Sequence, residues 1–139
     1  ISEKFKKNGV VDSVKFLPHK KNLSEHLNEY KKIDIALDTF PFNGVTTSFE
    51  AIWMGVPVLA LKGYNCYSRS GKSINKNLNL DDLIAENEND YIEKAISLTK
   101  NKKILDLRKS VYDNALRSPL FDKKRFSKQF FGLIEKIYA

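Results

Sequence analysis

The order of elements predicts an α/β domain of three layers, a parallel sheet with helices on both faces. Three observations carry that reading. Strand-like and helix-like segments alternate through the first two-thirds of the chain, and only helices follow. The runs 33–37 and 58–61 crowd their apolar residues together instead of alternating them with polar ones, as strands covered on both faces require. The stretch between those runs is long enough for a crossover helix, which favours parallel strands joined by right-handed links.

Taken in order, residues 2–8 read as a frayed helix end stopped by Gly9, a residue suited to a left-handed C-terminal position. Residues 14–17 predict a short strand ended by Pro18. Ser24 can cap a helix reaching about Lys32, with Leu27 and Tyr30 on one face. The strand 33–37 leads into a loop, 38–44, that holds Pro41 and Gly44. From Thr46 or Thr47 a helix runs through Phe49, Ala51, Ile52 and Met54 to Gly55, with Trp53 and Met54 expected to pack it against the sheet. Strand 58–61 enters through Pro57, and the polar loop 62–66 precedes a helix at about 68–77. Leu83 and Ile84 suggest another short strand. Helices then cover 90–100, with Tyr91, Ile92, Ala95, Ile96 and Leu98 offered to the core, and 102–116. The last helix, 125–138, carries Phe126, Phe130, Leu133, Ile134 and Ile137 at helical spacing.

Composition limits the function classes. A chain of 139 residues, 42% hydrophobic and 12% aromatic, makes one folded domain, residues 1–139, rather than a disordered tract. It opens on Ile1 rather than methionine, and is read as a piece of a longer chain. No apolar run approaches the roughly 20 residues that cross a bilayer, and charges at Glu3, Lys4, Lys6 and Lys7 interrupt any leader-like core. The single Cys66 excludes an internal disulfide, and the cytoplasm is the expected compartment. The net charge is 24 − 17 = +7, but its lysines sit in short pairs with acids between them, as solvated helix faces do. A nucleic-acid binder driven by that charge would show strongly salt-dependent binding to any oligonucleotide, and is set aside.

The loop and helix after strand 33–37 carry the chemistry. Ligands of open α/β sheets bind beyond the carboxyl ends of strands, and this loop lies at such an end. Gly44 permits a tight turn and close approach of a ligand to the backbone. Thr46 and Thr47 bring hydroxyls and unpaired amides to a helix N-terminus, where the dipole favours a phosphate. Glu50 follows Thr46 by four residues, on the same helix face, and can accept bonds from the two hydroxyls of a ribose. A second reading stands beside this one: Thr47 and Glu50 can form a capping box that does no more than start the helix.

The run 34–58, with its pieces LDTFPFNG, TT, EA and WMGVPV, resembles the SPINDLY and O-GlcNAc transferase family in order and spacing. The segments SRSGKS at 68–73, DLIAEN at 82–87 and SPLFD at 118–122 are also similar to it, so the resemblance covers about 16–130. It implies the Rossmann-like C-terminal lobe of a GT-B glycosyltransferase, an inverting enzyme that moves a sugar from a nucleotide diphosphate to protein Ser or Thr hydroxyls. By that resemblance Thr46 and Thr47 grip the diphosphate and Glu50 the ribose. Glu50 stands where some members have aspartate, and Val45 where the animal enzymes have histidine. His26 aligns with a histidine near the nucleobase; the plain alternative is a surface histidine on the 24–32 helix. Leu23 occupies the position of an expected lysine, with Lys20 or Lys21 as substitutes. Arg69 would neutralise the diphosphate from a facing loop, or is a surface arginine at a helix start. Cys66 reads as an inert loop residue.

The expected ligands are therefore a nucleotide-sugar donor, a UDP-sugar ahead of a GDP-sugar, and an acceptor protein or peptide. No cofactor and no metal are expected, since no Asp-x-Asp pair is present. The remaining partners implied are an upstream catalytic lobe and tetratricopeptide repeats, with no nucleic acid and no membrane. No catalytic residue is assigned to this chain. A non-catalytic nucleotide-binding or interaction module derived from the same lobe is the alternative.

Overall fold

The structure, a computed structural model, describes residues 2–100 and 102–138. Its centre is a parallel sheet of three short strands, β1 (Ala36–Leu37), β2 (Val58–Leu61) and β3 (Ile84–Ala85), in that spatial order. Ala36 pairs with Val58 and Leu37 with Leu59; Ala60 pairs with Ile84 and Leu61 with Ala85. The helices are α1 (Ser2–Lys7), α2 (Leu23–Glu29), α3 (Thr46–Trp53), α4 (Ser70–Asn77), α5 (Glu88–Thr99), α6 (Ile104–Arg117) and α7 (Lys123–Tyr138).

All four residues of β2 are buried, which accounts for its unbroken apolar run. Val58 joins Ala51, Ile52, Val56, Ile74, Leu78, Val111 and Ala115 in one apolar core, contributed by α3, α4 and α6. Burying a side chain such as Ile52 or Leu78 is worth about 1.5–3 kcal/mol. α5 packs along β2 and β3. α3 stops where Gly55 takes φ +71°, and there the carbonyl of Arg108 on α6 would lie 3.0 Å from any Cβ. Arg108 fastens the crossing by donating to the carbonyls of Ile33 and Met54.

The sheet is held to α4 by one polar residue. Asn75 is fully buried, and its Nδ2 donates to Val58 O at 2.9 Å and Leu83 O at 3.0 Å. The two bonds join the start of β2 to the approach to β3. α4 comes this close because residue 71 lacks a side chain: a Cβ on Gly71 would stand 2.5 Å from the Ala60 Cβ and 2.5 Å from Asp38 Oδ2.

Several expectations change. Residues 14–17 form no strand, with Phe16 and Leu17 exposed, and the sheet of the described residues consists of β1, β2 and β3 alone. Ser24 does not cap α2, because Asn22 does so by accepting from Glu25 N at 2.8 Å. β1 is only two residues long, and Leu37 is exposed on this edge strand. Trp53 meets Tyr112 of α6 edge-on and Phe121 at a tilt, instead of packing on the sheet. Ile92 and Ile96 on α5 are exposed, and α7 buries none of its residues, so of the two uses open to its apolar face, core or interlobe surface, Phe126, Phe130, Leu133, Ile134 and Ile137 form an exposed surface.

Gly71→Ala should lower stability by about 1–3 kcal/mol, because the added methyl meets a buried Cβ and a buried oxygen that have no room to yield. Urea unfolding reads this as a lower midpoint at unchanged slope. An unchanged midpoint would show that the α4–β2 contact is looser than these distances state.

Candidate functional site

The site is assembled by the loop between β1 and α3. Asp38, the first residue after β1, spans the loop with one carboxylate oxygen: Oδ1 accepts from Thr39 N at 2.9 Å and from Gly44 N at 2.7 Å. Thr39 Oγ1 donates to Phe42 O at 2.5 Å, and Asn43 Nδ2 donates to Thr39 O at 3.0 Å. Asn43 is buried and ties the loop to the next one, its N–H donating to Tyr67 O at 3.0 Å. Gly44 is required by close approach, since a Cβ there would lie 2.6 Å from Thr47 Oγ1 and 2.8 Å from Ser48 Oγ. Burial pushes the Asp38 carboxyl up, against the pull of the Gly44 and Thr39 N–H groups.

The helix that follows begins bare. Val45 is its N-cap, and no side chain accepts from the first-turn amides. Thr46 and Thr47 are exposed, Ser48 is buried, and no acidic residue lies in the first turn. A helix start of this kind keeps unpaired N–H groups and a partial positive charge toward solvent.

Glu50 does not form the capping box. Its Oε2 instead accepts from two residues of the α2 region, His26 Nε2 at 2.9 Å and the Tyr30 hydroxyl at 3.2 Å. A ring nitrogen that close to a carboxylate is the protonated, donating one. The rings of His26 and Tyr30 meet edge-on, centroids 5.6 Å apart, and the Tyr30 hydroxyl also lies 3.4 Å from Thr47 O. Burial, followed by the bond to the Glu50 carboxylate and its charge, pushes the Tyr30 phenol up to about 12. The phenol therefore stays a donor throughout the physiological range.

Five of the residues singled out in the sequence thus come together: Gly44, Thr46 and Thr47 at the tip of α3, Glu50 one turn in, and His26 against Glu50. Arg69 lies apart, on the other side of Val45. It precedes α4 and borders a concavity of about 730 Å³ with Val45, Phe49, Lys72 and Ser73. A smaller cavity of about 170 Å³ opens beside the tip, lined by Tyr30, Asp38, Thr39, Gly44, Thr47 and Ser48, among others. Tyr30 and Asp38 are the two residues that sequence reasoning did not assign to the site. The available signal for Tyr30 was its spacing of one helical turn from His26; for Asp38 it was the position just past a buried strand.

The sequence matches glycosyl transferase family 41 over residues 3–130. A Solanum lycopersicum protein named "Probable UDP-N-acetylglucosamine--peptide N-acetylglucosaminyltransferase SPINDLY" is 38% identical over 115 residues, 82% of this chain and 12% of that protein. An Arabidopsis thaliana protein whose name differs only in ending on SEC is 36% identical over 107 residues, 76% of this chain and 11% of that one. A solved O-GlcNAc transferase variant from Thermobaculum terrenum superposes with a TM-score of 0.83 at 27% identity, over 99% of this chain and 26% of that chain. The chain therefore spans a small part of the length of the relatives it matches.

Glu50→Gln should lower the Tyr30 titration midpoint from about 12 while leaving it above the ordinary 10, since burial remains and the carboxylate does not. A rapid-mixing alkaline absorbance titration, with Tyr30→Phe subtracted to isolate this phenol, measures it. No change on Glu50→Gln would mean that the two side chains are not in contact in solution.

Proposed function

The chain belongs to glycosyl transferase family 41, and from that premise we propose that it is the donor-binding lobe of an inverting enzyme that moves a sugar from a nucleotide diphosphate to protein Ser or Thr hydroxyls. The observation that carries the reading is the bare N-terminus of α3, with Thr46 and Thr47 exposed and a carboxylate one turn behind. In this reading the first-turn amides and the two hydroxyls hold the diphosphate, and Glu50 accepts from the ribose. His26, beside Glu50, stands toward the nucleobase. Arg69 approaches from the α4 side as a further positive charge. The preferred donor is a UDP-sugar ahead of a GDP-sugar, in keeping with the relatives' names, and the setting is the cytoplasm.

The leaving group is a nucleotide diphosphate, so charge builds on the bridging and β-phosphate oxygens as the glycosidic bond breaks. Fixed amides and a helix dipole aimed at that charge stabilise the transition state without reorganising. No residue of this chain is assigned to deprotonate the acceptor hydroxyl. That group, and the surface that reads the acceptor, are assigned to an upstream lobe with its repeats. Sugar transfer by residues 1–139 alone is therefore expected to be undetectable, and a radiolabelled-donor assay on an acceptor peptide that found transfer would overturn this division of labour.

Thr47→Ala and Glu50→Ala in the full-length protein should each weaken UDP or GDP binding by more than about 1 kcal/mol, roughly fivefold or more, the scale of one hydrogen bond to a charged group. Calorimetric titration measures both. A folded full-length protein that binds neither nucleotide would sink the donor reading in favour of a non-catalytic module.

A further inference from the structure

The donor reading asks Glu50 to meet a ribose, and this inference rests on that reading. A glutamate carboxylate on three rotatable bonds loses side-chain entropy when a ligand fixes it, and binding is stronger where the protein has fixed it beforehand. Both of its hydrogen-bond partners in this fold act on the same atom. His26 Nε2 and the Tyr30 hydroxyl converge on Oε2, at 2.9 Å and 3.2 Å. Oε1 has no partner among the described residues, and the side chain keeps 22% of its exposure. Oε2 accepts both protein donors, and Oε1 keeps its acceptor capacity.

Of the two partners, His26 is the more exposed, its side chain 44% accessible. Tyr30 is the better anchored. Its hydroxyl stands between Glu50 Oε2 and the carbonyl of Thr47, and its ring edge abuts the His26 ring. It also forms a wall of the small cavity beside Gly44 and Thr47. One rigid phenol therefore touches three of the residues that hold the donor in this reading. We propose that Tyr30 is a positioning residue of the donor site, holding Glu50 by Oε2 so that Oε1 is presented to the vicinal hydroxyls of the ribose. The high titration point of the phenol fits this use, because the donor proton is retained at every physiological pH.

The test uses the full-length protein, with UDP and 2′,3′-dideoxy-UDP as calorimetric probes, or the guanine pair if the protein selects GDP. Tyr30→Phe keeps the ring against His26 and removes only the hydroxyl; its thermal unfolding midpoint verifies that the variant is folded. The expected result is a loss of about five- to tenfold in UDP affinity with dideoxy-UDP affinity unchanged. In a Glu50→Gln background the same substitution should cost nothing more, because Tyr30 acts through the carboxylate. Equal losses on both probes, or losses that add across the two substitutions, would assign Tyr30 to general support of the lobe and overturn the proposal. Undiminished UDP binding by Tyr30→Phe would overturn it as well. Failure of the wild-type protein to bind either ribonucleotide is a different outcome: it removes the donor reading itself, and the role of Tyr30 with it.

Discussion

The carboxylate of Asp38 is the joint on which the other elements meet. It ends β1, and its Oδ1 holds the amide of Gly44 at 2.7 Å, which fixes where α3 begins and which way its bare tip faces. Its backbone carbonyl receives the Tyr91 hydroxyl from α5 at 3.0 Å. Its second oxygen, Oδ2, is buried without a partner among the described residues and lies against Gly71 of α4. An unpaired buried oxygen costs on the order of 1–3 kcal/mol. The fold accommodates it because the same side chain orders the loop that would otherwise wander between sheet and helix. Burial pushes both Asp38 and Tyr91 up from their ordinary values, with the Asp38 charge adding to the shift of Tyr91.

What the sequence made legible follows the range over which each signal acts. Gly44, Thr46, Thr47 and Glu50 were readable because a turn, a helix start and one helical period are local matters, and α3 forms as their spacing requires. β2 was readable because complete burial removes any alternation. Residues 14–17 misled because an apolar run becomes a strand only when another strand supplies its hydrogen bonds, and that partner cannot be read from the run itself. Ser24 misled by two positions, Asn22 being equally competent as a cap. On the last helix, aromatic spacing marked an apolar face without marking what that face packs against. For Tyr30 the only local signal was its spacing of one turn from His26; its contact with Glu50 crosses twenty residues of chain and depends on how α2 lies over α3.

The positive net charge of the chain says less about its ligand than the geometry does. Glu29 pairs with Lys20 at 3.2 Å and with Lys32 at 3.0 Å, and Lys94 reaches Asp90 at 2.9 Å. Surface pairs of this kind contribute little and are screened by salt. They partner three of the chain's lysines within its own surface. In the proposed reading the anion is held instead at the start of α3, whose N-cap side chain makes no capping bond.

In the proposed donor reading a carboxylate stands one turn behind an anion seat, and the opposing magnitudes show what that arrangement requires. Four residues of helix separate Thr46 from Glu50 by roughly 6 Å along the axis. At that distance two unit charges repel by about 0.7 kcal/mol in bulk water and by about 3 kcal/mol at the effective dielectric of a protein surface. A hydrogen bond from a ribose hydroxyl to a carboxylate is worth about 1.5–3 kcal/mol. The two terms are of similar size near a protein surface, so the bonds that His26 and Tyr30 donate to Oε2, each withdrawing charge from the carboxylate, weigh in the balance. An exposed glutamate without those donors would be a mobile negative charge beside the phosphates. Held by them, it becomes a fixed acceptor for the sugar ring. On the proposed reading, the pairing of a bare helix start with a tethered carboxylate is a single device for a ligand that is anionic at one end and a diol at the other.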